Sequence, residues 1–225
     1  MIENGPATGR PGVAMRTAFV AGQRLAGWVE RFEASHGAVH MAELDAGLQL
    51  SASDGAAALL QPPWPADGRP GKGADPVARM AALAAQSRSL GLVLIRRGGY
   101  AVAAVREGRV VVSKTGTRHV QSRTAAGGWS QQRFARRRAN QADALVEAVA
   151  GHASRIFQGQ AIEYIAPGGD RTLTDLVLGE PVLKEYGQLP RLAFMDVPDP
   201  RADVLKKAAA DFCAIRVVVS DPPGS

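Results

Sequence analysis

The residues best able to do chemistry lie in one stretch, Gly127-Gly128-Trp129-Ser130-Gln131-Gln132-Arg133-Phe134-Ala135-Arg136-Arg137-Arg138. Two adjacent glycines open backbone conformations closed to other residues, so the stretch begins as a bent or mobile loop. Gln131 and Gln132 follow with no acid nearby, and a basic cluster then starts an amphipathic pattern that runs to about Phe157. A glutamine amide has no titratable proton at neutral pH and cannot act as a general base. It can orient a water molecule, and its backbone N–H can stabilise a developing oxyanion. A neutral amide on a cationic stalk therefore suits water positioning in a site rich in phosphate.

The same residues carry a family resemblance. The stretch resembles the catalytic loop of eukaryotic and archaeal class I peptide-chain release factors, in which Gly-Gly-Gln leads into Arg-Phe-Ala-Arg and a long helix. Arg133-Phe134-Ala135-Arg136 keeps that spacing behind Gly127-Gly128, but Trp129 stands where the release factors have Gln. A Gln displaced to follow Gly-x-Ser is closer to the release-factor-like hydrolases of ribosome quality control, the VMS/ANKZF type, and their bacterial, actinobacterial branch. The resemblance runs from about Leu90 to Val219 and is highly specific over residues 127–138. It implies a peptidyl-tRNA hydrolase acting on stalled or obstructed large ribosomal subunits, with peptidyl-tRNA, ribosomal RNA and the peptidyl-transferase centre as partners and no cofactor. It assigns Gln131 to water positioning, with Gln132 as its neighbour. Gly127 and Gly128 would give the loop its reach, and Arg123, Arg133, Arg136, Arg137 and Arg138 would meet RNA phosphates. Trp129 would either stack on a base or plug the base of the loop. No stop-codon-reading, GTPase-docking or zinc-finger part is recognisable, so rescue is expected rather than decoding. The alternatives are a non-catalytic ribosome- or RNA-binding module, a tRNA 3′-end endonuclease, and a hydrolase of free peptidyl-tRNA.

Charge agrees with a polyanionic partner. The net charge is +6, yet residues 88–140 alone hold twelve basic residues and one acid, Glu107, which leaves the remainder net negative. Segregation this sharp points to nucleic acid. Other chemistries fit less well. Two-metal nuclease catalysis needs converging carboxylates, whereas Asp170, Asp196 and Asp199 lie on later loops. Ser130 lacks the closing glycine of a nucleophile elbow, has no sequence pairing with His119 or His152, and reads as a helix N-cap. His36 and His40 form a conceivable metal pair, but without acidic or thiol partners at ligand spacing a structural role is expected. The Gly68–Gly73 run lacks the Lys-Ser/Thr of a phosphate loop and reads as a loop touching RNA at most.

The elements that must position the loop follow from periodicity. Residues 1–12 read as a disordered tail and Val13–His36 as a helix. Val39–Leu50 and Ala56–Leu60 read as two strands, completing a small α+β subdomain over residues 13–60. The Pro/Gly-rich residues 61–76 read as a linker, and residues 77–220 as the catalytic domain. In that domain a helix over Pro76–Ser89 leads into an antiparallel meander of Leu92–Ile95, Tyr100–Val105 and Val110–Lys114. A helix over Arg133–Phe157, about 24 residues or roughly 36 Å long, follows the loop. After it come a strand at Ala161–Ile165 ended by Pro167-Gly168-Gly169, a helix at Thr172–Leu178, a strand at Leu192–Met195, a helix at Arg201–Phe212 and a last strand at Ile215–Val219. The expected class is α/β (α+β), a ribonuclease-H-like mixed sheet with helices on both faces. A single cysteine, no signal-type N-terminus and no long apolar run lead to an expected place in the cytoplasm, off the membrane, and the narrow ribosomal site that the resemblance implies leads to an expected monomer.

Overall fold

A computed structural model describes residues 15–117 and 129–222, and over residues 129–140 it describes the backbone. The chain forms two sheets. The first takes β1 (Met15–Val20), β2 (Val39–Leu44), β3 (Gly47–Ala52), β4 (Ala57–Gln61) and, from the far end of the chain, β9 (Ile215–Ser220). Their order is β1-β9-β4-β3-β2, and every pairing is antiparallel. Alternation decides the buried face: Leu48, Leu50, Ala58, Leu60, Ile215 and Val217 point one way. Helices α1 (Leu25–His36) and α2 (Pro76–Ala84) cover that face with Leu25, Val29, Phe32 and Ala84. Asp75 caps α2, its side chain accepting the N–H of Ala78, with Pro76 at the first helical position.

The second sheet holds β5 (Ser89–Arg96), β6 (Gly99–Arg106), β7 (Arg109–Thr117) and β8 (Tyr164–Gly169), in the order β7-β6-β5-β8. β5, β6 and β7 form the expected antiparallel meander, and β8 joins β5 in parallel. The β6–β7 turn is Glu107-Gly108, with φ of 53° and 72°, the left-handed pair that matches strand twist. One face packs under α3 (Trp129–Phe157), α4 (Arg171–Gly179) and the short α5 (Lys184–Gly187). The other packs under α6 (Ala202–Phe212), which contributes Leu205, Ala208, Ala209 and Phe212. The mixed sheet with helices on both faces is therefore as expected from the sequence. No helix among the described residues is long and apolar enough to cross a membrane.

Several expectations are corrected. The start of the expected 13–36 helix is instead β1, because β9 offers Met15–Val20 a full ladder of partners that local periodicity cannot reveal. The single strand expected over 39–50 is the β2–β3 hairpin, bent between Leu44 and Gly47. β8 does not end at Pro167. It runs through to Gly169, because a proline carbonyl still accepts, here from the N–H of Met195 at 3.1 Å. Residues 192–195 form no strand, only the isolated bridges Ile165–Arg191 and Gly168–Met195. The last strand does not extend the second sheet; it fills the gap between β1 and β4 in the first.

Candidate functional site

α3 is the element that positions the candidate residues. Its body is sewn into the second sheet by Leu145, Val146, Val149, Ala150, Ala153 and Phe157, all buried. The Phe157 ring meets Tyr186 edge-on, at 5.2 Å between centroids and 69° between planes. The helix spans 29 residues, about 43 Å, and its first turns precede this anchor. Trp129, Gln131, Gln132, Arg133, Arg136, Arg137 and Arg138 all fall on those first turns. Gly127, Gly128, Arg123 and His119 lie outside the described residues.

The helix thus starts at Trp129 rather than at Arg133, which corrects two expectations. Gln131 and Gln132 sit in the first helical turn, not in the loop ahead of it, and Ser130 is inside the helix, not its N-cap. The first four N–H groups of a helix have no intrahelical acceptor and carry the positive end of its dipole. The amide-bearing residues therefore stand in a turn whose N–H groups find no acceptor within the helix. A Ser130–His152 pair is closed off by the same element, since His152 lies about 33 Å further along the helix axis.

The strand ends nearest residues 118–128 in sequence are held by polar contacts. Thr117, the last described residue before the loop, pairs with Gly99 beside the β5–β6 turn. Arg96 binds Asp196 and donates to the Val197 carbonyl, which ties the 191–197 segment to this end of the sheet. Asp170 caps α4, accepting the N–H of Leu173 at 3.1 Å, while its own N–H donates to Ile95 O at 2.7 Å. Two of the three carboxylates considered for a metal are therefore already engaged. Among the described residues no three His, Cys, Asp or Glu side chains gather as a metal site. His36 pairs instead with Asp54, 2.8 Å away, whose carboxyl is held low by the Ala56 N–H and by His36.

The structure also sorts the basic segment. Arg88 is fully buried and bound by Asp67, Gln86 and the Tyr164 hydroxyl, and Arg96 is neutralised by Asp196. Arg97, Arg106, Arg109 and Lys114 are exposed with no carboxylate partner among the described residues. Arg69, in the 68–73 run, is used within the protein: it binds Asp67 at 2.8 Å and Glu163 at 2.7 Å. Two groups escaped the sequence reading. One is the Asp67–Arg88–Tyr164 network, whose signal was Trp64, an aromatic set among prolines. The other is the setting of His152, whose ring stacks on Tyr100 and bonds Arg155.

No curated protein matches the chain. Residues 88–218, more than half of the 225, match the family acVLRF1, described as Actinobacteria/chloroflexi VLRF1 release factor. The matched region spans β5 to β9 and includes the whole of the Gly127–Arg138 stretch, in agreement with the resemblance to release-factor-like proteins of the VMS/ANKZF type. The chain belongs to the Actinobacteria/chloroflexi VLRF1 release factor family, with a translation-related role in association with the ribosome.

Proposed function

We propose that the protein is a peptidyl-tRNA hydrolase that frees nascent peptide from stalled or obstructed large ribosomal subunits. The observation that carries this reading is family membership across a segment containing Gly127-Gly128 and the two glutamines. Water attacks the ester carbonyl, the bond to the tRNA 3′-terminal ribose oxygen breaks, and the products are peptide carboxylate and intact tRNA. Gln131 positions the water, and free N–H groups in the first turn of α3 receive the charge developing on the carbonyl oxygen. The proton-transfer groups come from the ribosomal site, because a glutamine cannot supply them. Gly127 and Gly128 give the approach its freedom, and Arg123, Arg133, Arg136, Arg137 and Arg138, with Trp129, hold RNA around it.

The test is release of labelled peptide from peptidyl-tRNA on isolated large subunits. Wild type should release peptide and leave tRNA of full length. Gln131→Ala should lose about a hundredfold or more in rate, the scale of a lost positioning or oxyanion contact, while subunit binding stays unchanged. A Gln132→Ala variant with the greater loss would transfer the role to Gln132. A tRNA shortened at its 3′ end would replace this reading with nuclease chemistry. Undiminished binding without any release would leave a binding module.

A further inference from the structure

The face of the second sheet under α3 carries a basic cluster that the Gly127–Arg138 stretch does not include. β7 pairs with β6 on one side, and no strand among the described residues covers its other edge. Lys114, opposite Val102 of β6, is exposed on this strand. Beside it the His152 ring stacks on Tyr100, with centroids 5.5 Å apart and planes at 17°. A Cβ on Gly116 would lie 2.6 Å from the Tyr100 ring, so the glycine is what lets this pair lie against the strand. Arg155 Nη2 stands 2.8 Å from His152 Nδ1. A guanidinium only donates, so Nδ1 accepts and the ring proton sits on Nε2.

Among the described residues, the charged groups that act on His152 are cations. α3 supplies Arg155, β7 supplies Lys114, and β6 supplies the neutral Tyr100. The neighbouring positions one turn away on α3 are Ala148, Val149 and Ile156, none of them acidic. Neither Lys114 nor Arg155 meets a carboxylate among the described residues. Burial, then Arg155 and Lys114, hold the His152 imidazole below its ordinary range. Like charges brought together without a counter-anion repel, and that repulsion is relieved when an anion arrives. Arg109 lies about 16 Å back along β7, at the strand's other end, and Arg106 sits across the turn from it. Lys114 and Arg109 thus lie along β7, with Arg106 at the end of β6 and Arg155 on α3.

We propose that Lys114, His152 and Arg155 bind the phosphodiester backbone of ribosomal RNA, with Arg109 and Arg106 extending the contact along β7. This rests on the ribosomal role of the family and not on the hydrolytic role of Gln131. A phosphate that takes over the Arg155 N–H leaves Nδ1 open to protonation and favours the imidazolium, so binding takes up a proton. Affinity then rises as pH falls from neutrality toward the lowered value of the free protein.

The test measures equilibrium binding of the full chain to purified large subunits, and to protein-free large-subunit RNA, across a salt series. Lys114→Ala/Arg155→Ala should bind both probes about tenfold or more weakly, with a log–log salt slope shallower by about two. Lys114→Arg/Arg155→Lys should restore binding, and His152→Gln should flatten the rise in affinity between about pH 7.5 and 5.5. A thermal melt unchanged from wild type confirms that the alanine variant folds. Unchanged affinity and slope on both probes would overturn the proposal. Weaker binding to intact subunits alone, at unchanged slope, would also overturn it and point to a ribosomal protein partner. Gln131→Ala should leave all these binding constants unaltered, so the two readings stand or fall separately.

Discussion

Arg88 shows how a single residue can be misread from charge alone. It belongs to the basic segment by sequence, yet it is fully buried against the stacked pair Trp64 and Tyr164, with its guanidinium 5.7 and 5.8 Å from the two rings. Asp67 supplies its anion, and Arg88 first, then the Tyr164 hydroxyl, hold that carboxyl well below the usual carboxylate range. The two partners differ in exposure: the Arg88 side chain has none, whereas Asp67 keeps 22%. Removing Asp67 strands a buried cation, whereas removing Arg88 leaves an anion that water and Arg69 still reach. Asp67→Ala should therefore lower the urea midpoint more than Arg88→Met does. The reverse order would mean that the network is not organised around the buried charge. Cys213 is the other residue-scale case. Burial pushes its thiol up to about 11, so at pH 8 it is almost wholly protonated. Alkylation by iodoacetamide should be far slower in the native protein than in denaturant, and a fast native reaction would contradict that burial.

At the scale of elements, legibility followed the distance between partners. The meander was read to within a few residues because two-residue turns join its strands and each strand meets its neighbour in sequence. β1 was misread because its only partner among the described residues, β9, lies at the other end of the chain. The Pro167-Gly168-Gly169 run carried a true local signal for an end, and parallel pairing with Val93–Ile95 overrode it. The candidate site was legible as residue types and spacing in 127–138. Its true start at Trp129 was not, since Ser-Gln-Gln fits either a cap or a first turn. The anchor of α3 was legible too, because its apolar residues recur at helical spacing. That anchor is a lever on the site: Phe157→Ala should cost about 3–5 kcal/mol in urea unfolding, the usual range for a buried phenylalanine. At temperatures where the variant stays folded, its peptide release should fall while Gln131 remains present. Full release from a destabilised variant would show that the first turns of α3 do not depend on this anchor.

At the scale of the molecule, the family match and the folding unit do not coincide. The matched residues 88–218 contain most of β9, but β9 is a central strand whose neighbours β1 and β4 lie at 15–20 and 57–61. Ile215 and Val217 are fully buried only because Val20, Leu50, Leu60, α1 and α2 surround them. The Asp67 that neutralises Arg88 also precedes the match. A fragment of residues 88–222 would therefore carry an unpaired apolar strand on both edges and a stranded buried cation. Such strands recruit other chains. The fragment should aggregate, or melt well below the full chain by circular dichroism, even though its second sheet is complete. Supplying residues 1–87 as a separate chain should restore a cooperative melt by pairing β9 on both sides, because the ladders between the two pieces are antiparallel and need no covalent link. A fragment that is monomeric and as stable as the full chain would show instead that the first sheet contributes nothing to the fold that carries α3.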